Sequence, residues 1–111
     1  MVTNHARVGT PDAVFRALAD PTRRAILDSL RRGAEPAGRI AARFEITRPA
    51  VSRHLKVLRS AGLVQERRAG RHRIYALQPA PLRHVDRWLE EYRRFWPARL
   101  ARLKRHVEAH P

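Results

Sequence analysis

The sequence predicts a mainly α-helical fold with one small β-hairpin, and three observations support this fold class. Four segments carry apolar residues at helical spacing, each opened by a capping residue or a proline. Two strand-like runs flank a glycine, Gly70, and a further segment from 82 to 107 has apolar residues three and four positions apart. We therefore expect about five helices plus a two-stranded antiparallel hairpin in one domain, residues 10–111, preceded by a flexible arm, residues 1–9.

The composition favours a polyanionic partner. The 111 residues include 24 Lys and Arg against 10 Asp and Glu, which gives a formal net charge of +14. Nearly all of the positive charge is arginine, since Lys56 and Lys104 are the only lysines. Arginine suits phosphate groups and guanine edges, so nucleic acid is the first candidate partner. An arginine-rich genome is the alternative source of the excess.

The sequence also excludes several classes of protein. It contains no cysteine, which rules out disulfides, thiolate metal sites and thiol redox switches. Residues 1–10 lack the apolar core of a signal peptide, and no apolar run approaches the ~18 residues that a membrane span needs. We therefore expect a soluble cytoplasmic protein with no membrane partner.

The first two helices have clear start signals. Thr10-Pro11 predicts an N-cap followed by proline at the first helical position, and Asp20-Pro21 repeats the pattern. The second helix is predicted to end at Gly33, because glycine commonly follows a helix C-terminus. These signals predict two short amphipathic helices in succession.

The next two helices are predicted to form a helix-turn-helix. Pro36 opens a third short helix, and residues 45–47 form a tight connection. Thr47 is a good N-cap for a fourth helix, residues 47–60, which buries Val51, Leu55 and Leu58. Two short helices joined by a turn of three or four residues are typical of a helix-turn-helix.

A basic hairpin follows directly. Residues 63–68 and 73–77 are predicted to be strands joined by a turn at 69–71. A helix-turn-helix followed by a basic hairpin predicts a winged helix-turn-helix domain, in which the hairpin is the wing. A basic wing can contact the phosphate backbone or enter a minor groove, and a charged edge that prevents aggregation is the alternative. The candidate DNA-binding residues of the wing are Arg67, Arg68, Arg71, His72 and Arg73.

The polar face of the fourth helix predicts DNA contacts. Arg48 and Arg53 can each donate two hydrogen bonds to guanine, and Ala50 can contact a thymine methyl group. Hydroxyl and ammonium groups suit phosphates, which makes Thr47, Ser52 and Lys56 candidate phosphate contacts. A solvated polar face is the alternative, and the neighbouring helix, turn and basic hairpin favour the DNA interpretation.

The C-terminal segment predicts a dimerisation helix over about 81–109. Its apolar stripe exceeds what a small domain covers alone, and a second copy of the stripe would cover it in a two-fold homodimer. Pro97 is expected to kink this helix. The stripe consists of Leu82, Val85, Leu89, Tyr92, Trp96, Leu100, Leu103 and Val107. As an alternative, aromatic residues of this segment recruit another protein: Trp88, Tyr92, Phe95 and Trp96.

Two long motifs resemble those of the ArsR/SmtB family of bacterial repressors. They read FRALADPTRRAILDSL (residues 15–30) and ITRPAVSRHLKVLRSAGLV (residues 46–64), and the resemblance spans about residues 10–107. The C-terminal segment resembles a metal-independent branch of the family. This sequence departs from the family pattern at Arg48 and Arg53, where relatives often carry Gln and His.

The resemblance implies how the protein works. It implies a homodimer formed by the first and last helices, which adds Phe15 and Leu18 to the interface. It also implies a transcriptional repressor that binds an inverted repeat in double-stranded DNA, represses its own operon and is released by an effector. The sequence does not identify that effector. The implied base-contacting positions are Thr47, Arg48, Ala50, Ser52, Arg53 and His54.

Metal, cofactor and enzyme functions are not expected. The only candidate ligands for a metal site on the last helix are His84, Asp86, His106, Glu108 and His110, and solvated histidines are the preferred interpretation. The sequence has no glycine-rich phosphate loop and no nucleophile elbow, so we expect no cofactor and no catalysis. The main alternative function is an architectural protein that coats DNA through charge alone.

Overall fold

The computed structural model describes residues 9–97 and, beyond them, residues 105, 107 and 108. Residues 1–8 of the predicted arm and the predicted site residues Leu100, Leu103, His106 and His110 lie outside the described residues. The elements are α1 (Pro11–Leu18), α2 (Pro21–Leu30), β1 (Glu35–Pro36), α3 (Ala37–Phe44), α4 (Arg48–Ser60), β2 (Val64–Ala69), β3 (His72–Leu77), a 3₁₀ turn (Ala80–Leu82) and α5 (Arg83–Arg93).

The predicted helix starts are confirmed. Thr10, Asp20 and Thr47 cap α1, α2 and α4, and each side-chain oxygen accepts a hydrogen bond from the backbone N–H three residues later. The three bonds measure 3.3, 3.0 and 3.2 Å. These bonds satisfy N–H groups that have no partner within the helix. The short sequence pattern therefore fixes where each helix begins.

The hairpin is one residue tighter than predicted. Ala69 pairs with His72, so the turn consists of Gly70 and Arg71 instead of the three residues 69–71. Gly70 has a φ of 64°, which a residue with a Cβ adopts only with strain. The two-residue turn brings the basic residues of both strands close to the tip of the wing.

A third strand joins the hairpin, where the sequence predicts a two-stranded wing and a loop up to Glu35. β1 pairs antiparallel with β3, with Glu35 opposite Tyr75 and Pro36 opposite Ile74, and the strand order is β1-β3-β2. The free edge of β3 carries unpaired backbone groups, and the extended Glu35–Pro36 segment satisfies some of them. α3 begins immediately after β1, so the start of this helix is attached to the sheet.

The core lies among α1 to α4 and the base of the hairpin. Its most completely buried side chains come from all of these elements: Val14, Ile26, Ile40, Val51, Leu55, Leu58, Leu63 and Val64. No polar or charged residue is buried among the residues that the structure describes. The charge of the protein therefore lies at its surface, where it is available to a partner.

The C-terminal helical segment is interrupted before Pro97. α5 ends at Arg93, four residues before Pro97, and the N–H groups of Phe95 and Trp96 bond to carbonyls three residues earlier. Proline cannot donate a backbone hydrogen bond and disfavours helical geometry in the residue before it, so the interruption precedes Pro97. Beyond Pro97, the described residues 105, 107 and 108 are helical again. Leu82 and Val85 pack against the core.

Candidate DNA-binding surface

The fourth helix presents its polar face to solvent, as the sequence predicts. Val51, Leu55 and Leu58 are buried in the core and fix the orientation of α4. Five of the predicted recognition residues are exposed on the opposite side or its flanks: Thr47, Arg48, Ser52, Arg53 and Lys56. Ala50 is half-buried one turn into the helix. This placement gives α4 the exposed polar N-terminal half that a recognition helix needs.

His54 occupies a different environment from its neighbours. Its side chain is 23% exposed, and its Nδ1 lies 3.5 Å from Arg23 Nη1 and 3.9 Å from Asp20 Oδ2. The pKa of the Asp20 carboxyl is below its usual value, mainly because the backbone N–H of Arg23 donates a hydrogen bond to it. His54 and the Arg23 guanidinium lower this pKa further. His54 is therefore at the junction of α2 and α4, where it links the recognition helix to the start of α2.

A cationic groove of about 690 Å³ lies between α3, the start of α4 and the wing. Arg48 of the recognition helix and Arg71, His72 and Arg73 of the wing line it together. The groove also includes Arg39 on α3, which the sequence reasoning missed. The remaining lining residues are Pro36, Ala37, Gly38, Ala42, Ser52 and Tyr75. The fold thus brings the predicted helix and wing residues to one concave surface.

The wing carries its cations at the exposed tip. All five predicted wing residues, Arg67, Arg68, Arg71, His72 and Arg73, are exposed. Arg68 lies directly opposite Arg73 across the hairpin. Like charges in this relationship destabilise an isolated hairpin, and an anion between or beside them relieves the repulsion. The tip is therefore suited to a phosphate group.

A carboxylate inside the wing holds several of its side chains. Glu66 accepts hydrogen bonds from the Tyr75 hydroxyl at 2.7 Å, from Arg59 at 2.8 Å and from Arg73 at 3.4 Å. We call these four residues the Glu66 cluster. The Tyr75 hydroxyl, together with the two guanidiniums, holds the pKa of the Glu66 carboxyl below its usual value. Burial and the bond to Glu66 raise the pKa of Tyr75. The sequence reasoning missed this cluster, which joins the end of α4 to both strands of the wing.

Two arginines of α2 stabilise the fold instead of the DNA-binding surface. Arg23 donates to the carbonyl oxygens of Ala17 at 2.7 Å and Arg16 at 3.0 Å, and Arg24 donates to that of Leu18 at 2.7 Å. These carbonyls lie in the last turn of α1, where few backbone N–H groups follow to bond them, although that of Arg16 also accepts from the N–H of Ala19 at 3.3 Å. The two guanidiniums therefore hold the end of α1 to the start of α2.

An aromatic face connects α1 to α5. Phe15 meets Trp88 edge-on at a centroid distance of 5.6 Å, and Trp88 lies 5.0 Å from Tyr92. We call these three residues the aromatic face. Trp88 is 51% exposed and Tyr92 47% exposed, and Phe95 beyond the helix is 70% exposed. Aromatic area of this kind is typical of an interface.

The other predicted dimer residues fall into two groups according to their burial. Leu18, Leu82 and Val85 pack partly against the core of their own chain. Leu89 and Trp96 are half-buried. Of the predicted interface residues that the structure describes, Tyr92 and Val107 are the exposed ones, so the exposed part lies at the aromatic end of α5 and beyond it.

The described residues contain neither a group of side chains that could hold a metal ion nor a helix that could cross a membrane. Within them, no three histidine or carboxylate side chains form a group that could hold a metal ion. Of the candidate ligands, Asp86 is paired with Arg93, and His84 is half-buried at the start of α5. In the same part of the chain, no helix has the length and apolar character needed to cross a membrane.

Comparison with known proteins agrees with this geometry. A family model described as a helix-turn-helix domain matches residues 18–67. The HTH-type transcriptional regulator Rv2034 of Mycobacterium tuberculosis is 46% identical over 87 residues, which cover 78% of this chain and 78% of the relative. The transcriptional repressor SdpR of Bacillus subtilis is 41% identical and covers 68% of this chain and 84% of its own length.

Solved structures show the same fold. The crystal structure of the ArsR family transcriptional regulator RHA00566 has a TM-score of 0.69 and 34% identity, covering 78% of this chain and 90% of that chain. The homodimeric winged helix-turn-helix DNA-binding domain Mb0332 of Mycobacterium bovis, studied by NMR, has a TM-score of 0.62 and 28% identity, with coverages of 74% and 79%. The predicted fold class, the family and the absence of an enzymatic function are confirmed. The chain belongs to the ArsR family of winged helix-turn-helix transcriptional regulators, which are DNA-binding proteins and not enzymes.

Proposed function

We propose that the protein is a cytoplasmic, sequence-specific repressor that binds a palindromic operator as a homodimer and represses its own transcription. The observation that carries this proposal is the cationic groove, in which Arg48 of α4 and Arg71 and Arg73 of the wing converge. A concave surface with cations on both walls fits a curved polyanionic backbone. The transcriptional repressor SdpR is a relative of this chain, which supports repression as the function.

The position of each residue on α4 or the wing determines which part of the DNA it contacts. The N-terminal half of α4 enters the major groove, where Arg53 and Arg48 donate paired hydrogen bonds to guanine and Ala50 contacts a thymine methyl group. Thr47, Ser52 and Lys56 contact phosphates beside them, and His54 positions the helix from its buried side. The wing contacts the phosphate backbone or the adjacent minor groove through its five exposed basic residues.

The dimer is formed through the aromatic face. Trp88 and Tyr92 of this face leave apolar area in solvent, as does Phe95 beyond the helix, and two copies of this area cover each other in a two-fold arrangement. The Mb0332 domain of Mycobacterium bovis is homodimeric, which supports this assembly. Two recognition helices related by two-fold symmetry reach major grooves about 34 Å apart, and the two-fold symmetry requires an inverted repeat.

The proposal is tested by fluorescence anisotropy. The protein is titrated against the DNA upstream of its own coding region and against scrambled DNA of equal length, at about 150 mM salt. We expect binding to the native fragment to be tighter by a factor of about 10³ or more. Equal and steeply salt-dependent binding to both fragments would replace this function with the architectural one, in which charge alone coats DNA.

A further inference from the structure

Glu66 lies at the boundary between the structural base of the wing and its cationic tip. It faces Tyr75 directly across the hairpin, and Arg73 is the diagonal neighbour on the same face. Along this face, burial decreases from Val64 through Glu66 to the exposed Arg68. Glu66 is thus the last acidic group before a tip that contains only basic and small residues.

The three partners of Glu66 are not held equally. Tyr75 is buried and donates at 2.7 Å, and Arg59 donates at 2.8 Å to the other carboxylate oxygen. Arg73 is the longest contact at 3.4 Å, shares its oxygen with the Tyr75 hydroxyl, and has a side chain that is 59% exposed. An exposed ion pair of this length is weak and easily exchanged for another anion. Arg73 is therefore the partner that Glu66 releases most readily.

The same residue lines the cationic groove. Arg73 shares the groove with Arg48, Arg71 and Arg39, so a phosphate group bound there meets Arg73 directly. Carboxylate and phosphate oxygens accept the same hydrogen bonds from arginine. The Glu66 carboxylate of the wing therefore competes with a DNA phosphate for the guanidinium of Arg73.

We propose that Glu66 is an affinity-limiting residue whose carboxylate competes with DNA phosphates for Arg73 and so restrains the charge-driven part of DNA binding. This inference rests on the proposed function. The competition costs about the same free energy on operator and on random DNA, so it lowers both affinities by the same factor. Random DNA lacks the base contacts of α4 and binds more weakly to begin with, so Glu66 limits its occupancy without touching a base.

The test uses Glu66→Gln, which keeps the shape of the side chain and removes its charge. We expect affinity for scrambled DNA to rise about two- to fivefold for each bound copy of the chain, which corresponds to the loss of one exposed ion pair. The plot of log K against log salt should become steeper by about 0.9 per copy, because one more phosphate is neutralised. Asp28→Asn removes the same charge from the exposed surface of α2, outside the groove, and controls for net charge.

Two further variants separate competition from loss of structure. In an Arg73→Ala background, Glu66→Gln should no longer raise affinity, because the contested guanidinium is gone. Tyr75→Phe loosens the Glu66 cluster without changing charge and leaves the shared oxygen to Arg73, so affinity for scrambled DNA should fall about twofold. A purely structural role predicts that Glu66→Gln and Tyr75→Phe change affinity in the same direction.

The outcomes are distinct. Unchanged or reduced affinity of Glu66→Gln for scrambled DNA, or a rise that persists without Arg73, overturns the inference while leaving the repressor function intact. If Glu66→Gln does not fold, the Tyr75→Phe variant decides, since unchanged or increased affinity there also overturns it. If the unaltered protein binds neither its upstream DNA nor scrambled DNA, the proposed function and this inference fail together.

Discussion

The guanidinium of Arg48 lies directly over Gly38 of α3. A Cβ added at Gly38 would be 3.3 Å from Arg48 Nη1, closer than an ordinary van der Waals contact. The absent side chain therefore leaves room for the arginine to lie along the wall of the cationic groove. A helical glycine normally weakens its helix, and here it accommodates a candidate DNA contact.

Gly38→Ala is expected to separate stability from binding. The substitution should stabilise α3 by roughly 0.5–1 kcal/mol and raise the melting temperature, since alanine is the better helix former. The new methyl group displaces the end of Arg48, so operator affinity should fall a few-fold. Thermal melts by circular dichroism and anisotropy titrations measure the two effects. In an Arg48→Ala background the binding effect should vanish, and its persistence would show that Gly38 acts by another route.

Substitutions in the recognition helix and in the wing should affect DNA binding in different ways. Arg53→Ala should cost about 1–3 kcal/mol of operator binding and relax preference at particular base pairs. Arg71→Ala should weaken binding to all sequences alike and make the salt dependence shallower by about one phosphate contact. Titrations against an operator library measure both. If Arg71→Ala changed base preference and Arg53→Ala did not, the assignment of helix and wing to their grooves would be wrong.

Trp88→Ala should weaken the homodimer. Buried aromatic anchors commonly contribute about 2 kcal/mol or more to an interface, so the dimer dissociation constant should rise at least about thirtyfold. Light scattering coupled to size exclusion, over a concentration series, measures the shift from dimer to monomer. Arg87→Ala, an exposed change at the adjacent position of α5, is the matched control and should leave the dimer intact. A monomeric unaltered protein would favour recruitment of a different partner by the aromatic face.

The Glu66 carboxyl makes stability depend on pH in the acid range. Because its pKa is lowered in the folded protein, its contribution is complete above the unfolded value of about 4.3 and is lost as the pH falls through the folded pKa. The melting-temperature difference between the unaltered protein and Glu66→Gln should therefore be constant near neutral pH and shrink under acid conditions. A difference that stayed the same down to pH ~3 would contradict the ionic role of the carboxylate.

Arg23→Met should destabilise the fold without changing how DNA is read. The variant removes the donors to the carbonyls of Arg16 and Ala17, at an expected cost of about 1–3 kcal/mol. The salt dependence of DNA binding, measured below the melting temperature, should stay unchanged. Arg31→Met removes an exposed arginine of the same region and serves as the control for charge. A shallower salt dependence for Arg23→Met alone would place Arg23 on the DNA.

Local patterns predicted the parts of the fold that local chemistry determines. The capping residues Thr10, Asp20 and Thr47 act within one turn, and each helix start follows from the side chain and the three residues after it. Gly70 likewise predicted the turn of the wing, because its positive φ is a property of one residue. Periodicity also placed the core face of α4.

Features that depend on distant partners were not predictable in this way. β1 has only two residues, too few for any pattern, and it exists because β3 offers it an edge. Arg39 and Glu66 have nothing in their neighbouring residues to mark them, and they become part of a site only when α3, α4 and the wing come together. Pro97 predicts an interruption of the C-terminal helix but not its exact place, since α5 ends four residues earlier at Arg93.

The attachment of β1 to β3 has a mechanical consequence. Pro36 belongs to β1 and also caps α3, so the wall of the groove formed by α3 and the wall formed by the wing share one piece of backbone. The groove cannot widen without breaking the pairing between Glu35 and Tyr75. When protein and DNA meet, we therefore expect the duplex to adjust its shape more than the protein does. Sequences that bend easily toward the required backbone spacing would then be preferred at base pairs that no side chain touches.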